Sequence, residues 1–329
     1  MIIVTGGAGF IGVNTVHELN RRGIDDILIV DNLKSSPNAA HPKFLNLWGA
    51  RFRDFMDKRE FRHALNNGQF DQTRIQAILH NGACSNTLED DGQYMMDNNF
   101  TYSKDVLHFA VKRKIPLVYA STAAVYGLSE QFTETLENEK PLNVYGFSKL
   151  AFDHYVRAHL AQFDSTVVGL RYFNVYGRFE AHKGRMASVM HHFTRQLKET
   201  GKIRMFVGSG GYGDGEQRRD FVYVRDLVRI VLYFAGIDAA PGVKQGVVNA
   251  GTGASRTFKD VAKALMAVHG PGEIEFIPFP ADLANRYQHF TEADTTGLRA
   301  LGWTEPFTSL EEGVQETFAI ENAEDGGFA

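Results

Sequence analysis

The sequence contains a single cysteine, Cys84, among its 329 residues. An internal disulfide is therefore excluded, and one thiol fits the reducing conditions of the cytoplasm. No stretch approaches the roughly 18 consecutive apolar residues that a membrane helix needs. The first residues, Met1–Val4, lack the basic segment that begins a secretory signal. These absences predict a cytoplasmic protein with no membrane partner.

A strong excess of one charge is also missing. The chain has 35 Lys and Arg against 39 Asp and Glu, a net charge of −4, with both signs interspersed. This balance argues against nucleic acid as a partner. A hydrophobic content of 43% is ordinary for a globular protein. The length allows one large domain or two closely joined ones.

Apolar runs alternate with helical stretches through the first half of the chain. The predicted strands there are Ile2–Thr5, Ile27–Asp31, Ile75–Leu79, Pro116–Ala120 and Thr166–Arg171. Continuous apolar strands between helices form a parallel sheet covered on both faces, so we expect a doubly wound α/β (Rossmann) fold.

The alternation weakens after Arg171, where only short strand-like pieces occur, at Arg219–Val224 and Gly246–Ala250. We therefore predict a dinucleotide-binding domain from residues 1–171 and 220–251. A second, smaller α/β substrate domain is predicted from residues 172–219 and 252–329.

A glycine-rich turn, Thr-Gly-Gly-Ala-Gly-Phe-Ile-Gly, occupies Thr5–Gly12 between the first predicted strand and a helix that ends near Arg22. Gly6, Gly9 and Gly12 let the backbone turn sharply and approach a pyrophosphate, which then lies at the helix N-terminus. This setting predicts a dinucleotide site.

The choice between NAD and NADP stays open on the residues alone. Asp31 ends the second predicted strand, where a carboxylate binds ribose hydroxyls and repels a 2′-phosphate, which favours NAD. Asn32, Lys34, Lys43 and Lys58 follow it, and any of them could neutralise that phosphate.

Tyr145 and Lys149 are four residues apart, a spacing that places both on one face of a helix. A lysine cation beside a phenol favours the phenolate, so Tyr145 is predicted to be a base whose pKa is lowered by Lys149 and a cationic cofactor ring. The preceding predicted strand is followed by Ser121 and Thr122, and either hydroxyl could bind the substrate oxygen.

The glycine turn, the Ser/Thr strand end and Tyr-x-x-x-Lys, in this order, resemble the extended short-chain dehydrogenase/reductase superfamily. Ala123 and Ala124 stand where dehydratases of that superfamily carry Asp-Glu. Because alanine cannot transfer a proton, dehydration is disfavoured.

A closer resemblance covers nearly the whole chain. Its motifs are His80–Ser85, Tyr94–Asn99, Pro141–Lys149, Arg171–Gly177, His182–Gly184, Met186–Val189, Arg219–Val224, Asn249–Gly253 and Arg286–Gln288. They look like the ADP-L-glycero-D-manno-heptose 6-epimerase family. The resemblance implies inversion at C6″ of an ADP-heptose with NADP, as part of lipopolysaccharide core biosynthesis. An epimerase or reductase of another nucleotide sugar is the alternative, while a non-catalytic regulator could tolerate loss of the intact tyrosine and lysine.

The resemblance also implies roles for individual residues. Tyr145, Lys149 and Thr122 are the catalytic group, with Lys183 as a second acid/base. The implied cofactor contacts are Gly6, Gly9, Phe10, Ile11, Gly12, Asp31, Asn32, Lys43, Lys58, Asn81, Gly82, Ala83, Cys84, Ser85, Asn98, Tyr145, Lys149, Val175 and Lys183. The implied substrate contacts are Asn174, Arg185, His192, Phe206, Val207, Gly208, Ser209, Arg219 and Tyr287. We expect no metal site. We expect a homo-oligomer, with a pentamer as one option.

Three departures from the family pattern bear on the site. Asn81 stands where a glutamate is expected, so its cofactor contact is predicted to come from the backbone. Arg185 replaces the serine of some members and could add a diphosphate or sugar contact. The loops Ser35–Pro42 and Gly211–Gly215 look longer than in the shortest members.

Overall fold

The computed structural model describes residues 1–36, 39–237, 242–280 and 287–325, with side chains to residue 320. The helices are α1 (Phe10–Arg21), α2 (Lys58–Asn66), α3 (Gly92–Met95), α4 (Tyr102–Lys112), α5 (Val144–His159), α6 (Val189–Thr200), α7 (Val224–Phe234), α8 (Phe258–His269), α9 (Thr296–Ala300) and α10 (Leu310–Asp325). The strands are β1 (Ile2–Thr5), β2 (Ile27–Asp31), β3 (Asp54–Asp57), β4 (Ala77–His80), β5 (Leu117–Thr122), β6 (Val167–Tyr172), β7 (Asn174–Tyr176), β8 (Lys202–Phe206), β9 (Arg218–Arg219), β10 (Phe221–Tyr223), β11 (Gln245–Ala250), β12 (Arg256–Thr257) and β13 (Glu273–Ile277).

Seven strands form one parallel sheet in the order β11-β6-β5-β4-β1-β2-β3. Successive residues of β1 bury on opposite faces: Ile2 and Val4 join one apolar core, and Ile3 joins another. Helices cover both cores. The predicted doubly wound α/β fold is confirmed.

Sheet order reverses direction between β1 and β4, whose last residues, Thr5 and His80, lie side by side in register. Loops that leave such neighbouring strands in opposite directions open a crevice at their carboxyl ends. The fold therefore places the main crevice beside Thr5 and His80.

Most predicted strands begin or end one or two residues from their true bounds. The edge strand β3 (Asp54–Asp57) escaped prediction because it is short, polar and partly exposed, and so lacks the apolar run of a buried strand. The single piece predicted at Arg219–Val224 is wrong. It divides into β9 and β10, and Asp220 between them belongs to neither strand. The buried Asp220 carboxylate accepts hydrogen bonds from the amides of Thr252 and Gly253.

The remaining strands pair in three small sheets: β7 with β10, β9 with β12, and β8 with β13. A third apolar core packs α6, α8 and α10 around them. The division into domains at residues 171, 219 and 251 stays a prediction. Across the described ranges, no helix has both the length and the apolar character needed to cross a bilayer.

The glycine turn is shaped by contacts that leave no room for side chains. A Cβ on Gly12 would overlap the Gly6 carbonyl, so the first turn of α1 packs directly on the backbone after β1. Gly6 adopts φ +66, and a Cβ there would lie 2.9 Å from the backbone of Asn81 and Gly82. The turn can thus touch the loop after β4 only as glycine.

We predict that Gly12→Ala destabilises the protein by about 1–3 kcal/mol, because the added methyl forces the turn away from α1. Gly92→Ala is the matched control, since a Cβ at Gly92 meets no atom within 4 Å. Urea unfolding monitored by circular dichroism measures both. Equal unfolding midpoints for the two variants would contradict the prediction, because the turn would then accommodate the added methyl without cost.

Candidate active site

A cleft of about 1090 Å³ opens at the carboxyl ends of β1 and β4. Sequence reasoning predicted a dinucleotide site and a catalytic group, and the structure places most of those residues around this one cleft. The predicted residues that line the cleft are Gly6, Gly9, Phe10, Ile11, Gly12, Asp31, Asn32, Lys43, Lys58, Asn81, Gly82, Ala83, Cys84, Ser85, Asn98, Thr122, Tyr145, Lys149, Asn174, Val175, Lys183, Arg185 and Arg219.

Six predicted substrate contacts do not line this cleft: His192, Phe206, Val207, Gly208, Ser209 and Tyr287. Two of them lie next to it, because the Tyr287 ring is 4.9 Å from the Arg219 guanidinium and 6.4 Å from the Phe206 ring. Arg286 of the quoted motif, and residues 37 and 38 of the Ser35–Pro42 loop, lie outside the described residues.

Tyr145 is held at the start of helix α5 by a cap and a close contact. Asn143 caps the helix, with its Oδ1 accepting the Gly146 amide at 2.8 Å. A Cβ on Gly146 would lie 2.9 Å from the Ala124 carbonyl, so only glycine lets α5 pack this closely on the turn after β5. This packing brings Tyr145 to Thr122.

Thr122 hydrogen-bonds to Tyr145. The Thr122 Oγ1 accepts the Ala124 amide at 3.1 Å, which leaves the threonine O–H to donate to the phenol oxygen. Burial raises the pKa of Tyr145, and the bond from Thr122 acts in the opposite direction. Burial dominates because a buried phenolate loses hydration, and the lowering expected from Lys149 together with a cationic cofactor ring stays a prediction.

The structure distinguishes between the two hydroxyls at the end of β5. Ser121 Oγ donates to Asp153 at 2.8 Å, away from the phenol, whereas Thr122 faces Tyr145. Thr122 is therefore the hydroxyl available to the cleft.

Lys149 is buried, with 3% of its surface exposed. Burial lowers the pKa of its ammonium to about 8, and Asp153, one helical turn further along α5, opposes that shift. Asp153 is fully buried and accepts hydrogen bonds from Tyr119 Oη at 3.0 Å and Arg171 Nε at 3.0 Å. Lys149 therefore stays largely protonated at neutral pH because a buried carboxylate is fixed nearby.

Asp31 already has partners for its carboxylate. Its Oδ2 accepts the Ala8 amide at 3.1 Å, and its Oδ1 accepts the Asn32 amide at 2.8 Å and the Lys43 ammonium at 3.0 Å. The negative charge is thus offset by Lys43 and used to fix the glycine turn. Gly9, the N-cap residue, offers no side chain to the first amides of α1, so they can bind a phosphate. These residues fit a dinucleotide.

The loop after β4 supplies a second wall of the cofactor region. Asn81 donates its amide to the Thr5 carbonyl at 3.1 Å, and its Oδ1 accepts the Tyr172 hydroxyl at 3.2 Å. Lys58 bonds to the Asn98 side chain, and burial lowers the pKa of Lys58.

Lys183 reaches the cleft from a short 3₁₀ segment, Ala181–Met186, whose turn requires Gly184 at φ 55. The Lys183 ammonium lies 4.7 Å from the centre of the Phe10 ring and 3.4 Å from a Glu180 carboxylate oxygen. Glu180 is itself fixed by the Ser188 amide and hydroxyl, both at 2.6 Å. The second predicted acid/base is therefore a positioned group in the same cleft as Tyr145.

Sequence reasoning gave no site role to five residues that hold this site. They are Asp153, Glu180, the mutually bonded pair Asn46 and His182, and Asn99, which bonds to the Cys84 backbone and to Ser148. The helical spacing from Lys149 to Asp153 was a usable signal. The pairing of Asn46 with His182 had none. Within the part of the chain that the structure describes, no three His, Cys, Asp or Glu side chains group as a metal site.

The model of the NAD dependent epimerase/dehydratase family matches residues 2–251. The chain belongs to that family. It is 53% identical to the ADP-L-glycero-D-manno-heptose-6-epimerase of Alkalilimnicola ehrlichii over 315 residues, covering 96% of this chain and 95% of the relative. The resemblance found in the sequence is confirmed, and the protein is an epimerase that uses a nicotinamide cofactor.

Solved structures agree with this membership. The Helicobacter pylori ADP-L-glycero-D-manno-heptose-6-epimerase superposes with a TM-score of 0.82 at 28% identity, over 98% of this chain and 96% of that one. The UDP-glucose 4-epimerase of Thermotoga maritima superposes with a TM-score of 0.75 at 27% identity, over 98% and 99%.

We predict that Asp153→Asn moves the titration of Lys149 about one pH unit or more below its value near 8, because the nearby negative charge is lost. NMR of protein labelled with [ε-¹³C]lysine measures the midpoint, and Lys149→Met assigns the signal. Tyr119→Phe is the control, since it removes one bond to Asp153 and keeps the charge. An unchanged midpoint in Asp153→Asn would contradict the role given to that carboxylate.

Proposed function

We propose that the protein inverts C6″ of ADP-D-glycero-D-manno-heptose, through a transient ketone, to give ADP-L-glycero-D-manno-heptose. The observation that carries this proposal is the Thr122–Tyr145–Lys149 group with Lys183 in the same cleft. The 53% identity to an ADP-heptose epimerase over nearly its full length supports the choice of substrate. Inversion causes no net oxidation or reduction.

Two acid/base groups suit this reaction. A bound oxidised nicotinamide would supply the hydride acceptor and donor that C6″ needs, and a positive charge beside Tyr145. Tyr145 removes the hydroxyl proton on one face, while Thr122 and Lys149 stabilise its phenolate. The substrate oxygen lies near a different group when the other face is presented, and Lys183 transfers the proton there.

The nucleotide end of the substrate needs cationic and aromatic partners. Arg219 is 7% exposed and lies against the rings of Phe258, at 5.7 Å, and Tyr287, at 4.9 Å. A guanidinium held in this way can bind a diphosphate with two parallel hydrogen bonds. We assign the remaining substrate contacts to Asn174 and Arg185, which line the cleft, and to His192, Phe206, Val207, Gly208 and Ser209, which lie outside its lining.

Within the nicotinamide cofactors, NADP is our choice. The argument against it was repulsion between Asp31 and a 2′-phosphate. That repulsion is weakened because Lys43 pairs with the Asp31 carboxylate, while Asn32 and Lys34 line the same end of the cleft. A cytoplasmic location stays a prediction from the sequence composition, and a homo-oligomer stays a prediction from the family resemblance.

We predict that the purified protein carries NADP(H) rather than NAD(H). Denaturing the protein and identifying the released nucleotide by chromatography measures this. Lys43→Met is expected to lose the preference, because the paired cation is removed and Asp31 regains its repulsion. Release of mostly NAD(H) from the wild type would contradict this prediction and would show that Asp31 selects NAD by repelling a 2′-phosphate.

We predict that Tyr145→Phe and Lys183→Met each slow epimerisation by about 10²–10⁴-fold, because each removes the proton-transfer group on one face. An ADP-sugar with an aldehyde at C6″ can be both oxidised and reduced, so the oxidation and reduction half-reactions can be measured separately. Tyr145→Phe should lose activity with one epimer of the substrate, and Lys183→Met with the other.

Lys183→Arg is the matched control for charge, since it keeps a cation but cannot act as a base at neutral pH. If Lys183→Met changes only KM while both half-reactions run normally, the lysine binds and does not transfer protons. Turnover of a panel of ADP- and UDP-sugars tests the substrate itself. Preference for a UDP-sugar would favour the alternative activity.

A further inference from the structure

The segment that carries Lys183 is docked on the cofactor-binding half of the molecule. The Ser36 amide donates to the His182 carbonyl at 3.3 Å, and the Ala40 amide donates to the Ala181 carbonyl at 3.2 Å. His182 is 5% exposed, and its buried ring borders the same cleft that Lys183 lines. The buried ring has no part in the reaction described above.

The His182 ring meets the glycine turn through one side chain, Asn46. The Asn46 Nδ2 lies 2.9 Å from the Ala8 carbonyl and 2.9 Å from His182 Nδ1. Since a carbonyl oxygen needs a donor, the Ala8 contact fixes which atom of the amide is nitrogen. One Asn46 N–H thus binds the turn and the other binds His182.

The state of the His182 ring suits this arrangement. An amide nitrogen only donates, so Nδ1 must accept, and the ring proton is on Nε2. Burial, assisted by the charges of Lys43 and Lys183, lowers the pKa of His182 to about 4. The ring is therefore neutral at neutral pH and accepts the bond without interruption.

The same turn touches Lys183 at a second point. Phe10 follows Ala8 by two residues, and its ring lies under the Lys183 ammonium at 4.7 Å. Ala8 also donates its amide to Asp31, which Lys43 holds. A path of direct contacts therefore runs from the Asp31–Lys43 pair, through the turn and Asn46, to the residue before Lys183.

We propose that His182 is a positioning residue for Lys183, and that the Asn46 amide fixes the Lys183 segment to the glycine turn that receives the cofactor. This inference rests on the proposed function, in which Lys183 transfers a proton. A displacement of about 1 Å in such a group can cost two orders of magnitude in rate. Binding of the cofactor and placement of Lys183 are then linked events, and the linkage acts in both directions.

His182→Asn and His182→Leu separate the hydrogen bond from simple filling of space. The Asn side chain can place an oxygen where Nδ1 was and still accept from Asn46, whereas Leu cannot. We expect kcat to fall about tenfold or more in His182→Leu and less than threefold in His182→Asn. His108→Asn, at an exposed position whose ring bonds to Tyr155, controls for the loss of an imidazole. Equal losses in the Asn and Leu variants would overturn the proposal.

Two further measurements complete the test. Fluorescence titration with NADPH should show binding weakened about threefold to tenfold in His182→Leu and unchanged in His182→Asn, because the turn at Ala8 loses a support. In a Lys183→Met background, His182→Leu should slow epimerisation less than twofold further. A full additional loss there would make His182 a structural residue and overturn the proposal. If Lys183→Met alone keeps full activity, the proposed two-base function fails, while the NADPH titration still decides whether the link from Ala8 to His182 exists.

Discussion

The buried carboxylate of Asp153 joins the three elements that build the candidate active site. It sits on α5, accepts from Tyr119 and Ser121 of β5, and pairs with Arg171 of β6. Removing one partner of such a buried pair costs about 3–5 kcal/mol, so the three elements cannot shift independently. Two consequences follow for the cleft. Ser121 is turned away, which leaves Thr122 to meet Tyr145, and the Asp153 charge opposes the lowering of the Lys149 pKa by burial.

The opposite side of the cleft is held by close packing of backbone on backbone. Gly12 rests on the Gly6 carbonyl, and Gly6 in turn rests on the backbone of Asn81 and Gly82. No side chain separates α1, β1 and the loop after β4, so the helix amides and the Asp31 carboxylate converge on one small region. The Lys183 segment docks on that region through polar side chains. The cleft thus combines one wall fixed by buried charge with another fixed by the absence of side chains.

Two successes of sequence reasoning rest on local contacts. Continuous apolar strands gave the parallel sheet, and helical spacing placed Tyr145 and Lys149 on one face. It failed where partners are distant or where burial decides. Asn46 and His182 are joined only by the fold, and the polar edge strand β3 resembles a loop in the sequence. The pairing of Lys43 with Asp31 likewise follows from the path of a loop, and it changes the meaning of that carboxylate for the cofactor.

The pKa of Tyr145 shows most clearly why spacing alone is insufficient. Two residues on one helical face suggested a phenolate, yet the cleft that brings them together also removes the water a phenolate needs, and the pKa rises. The bond from Thr122 only reduces that cost. A positive charge beside the phenol would favour its phenolate, and an oxidised nicotinamide carries one. Since the glycine turn and helix α5 open on the same cleft, the fold places the predicted base where a bound cofactor would assist it.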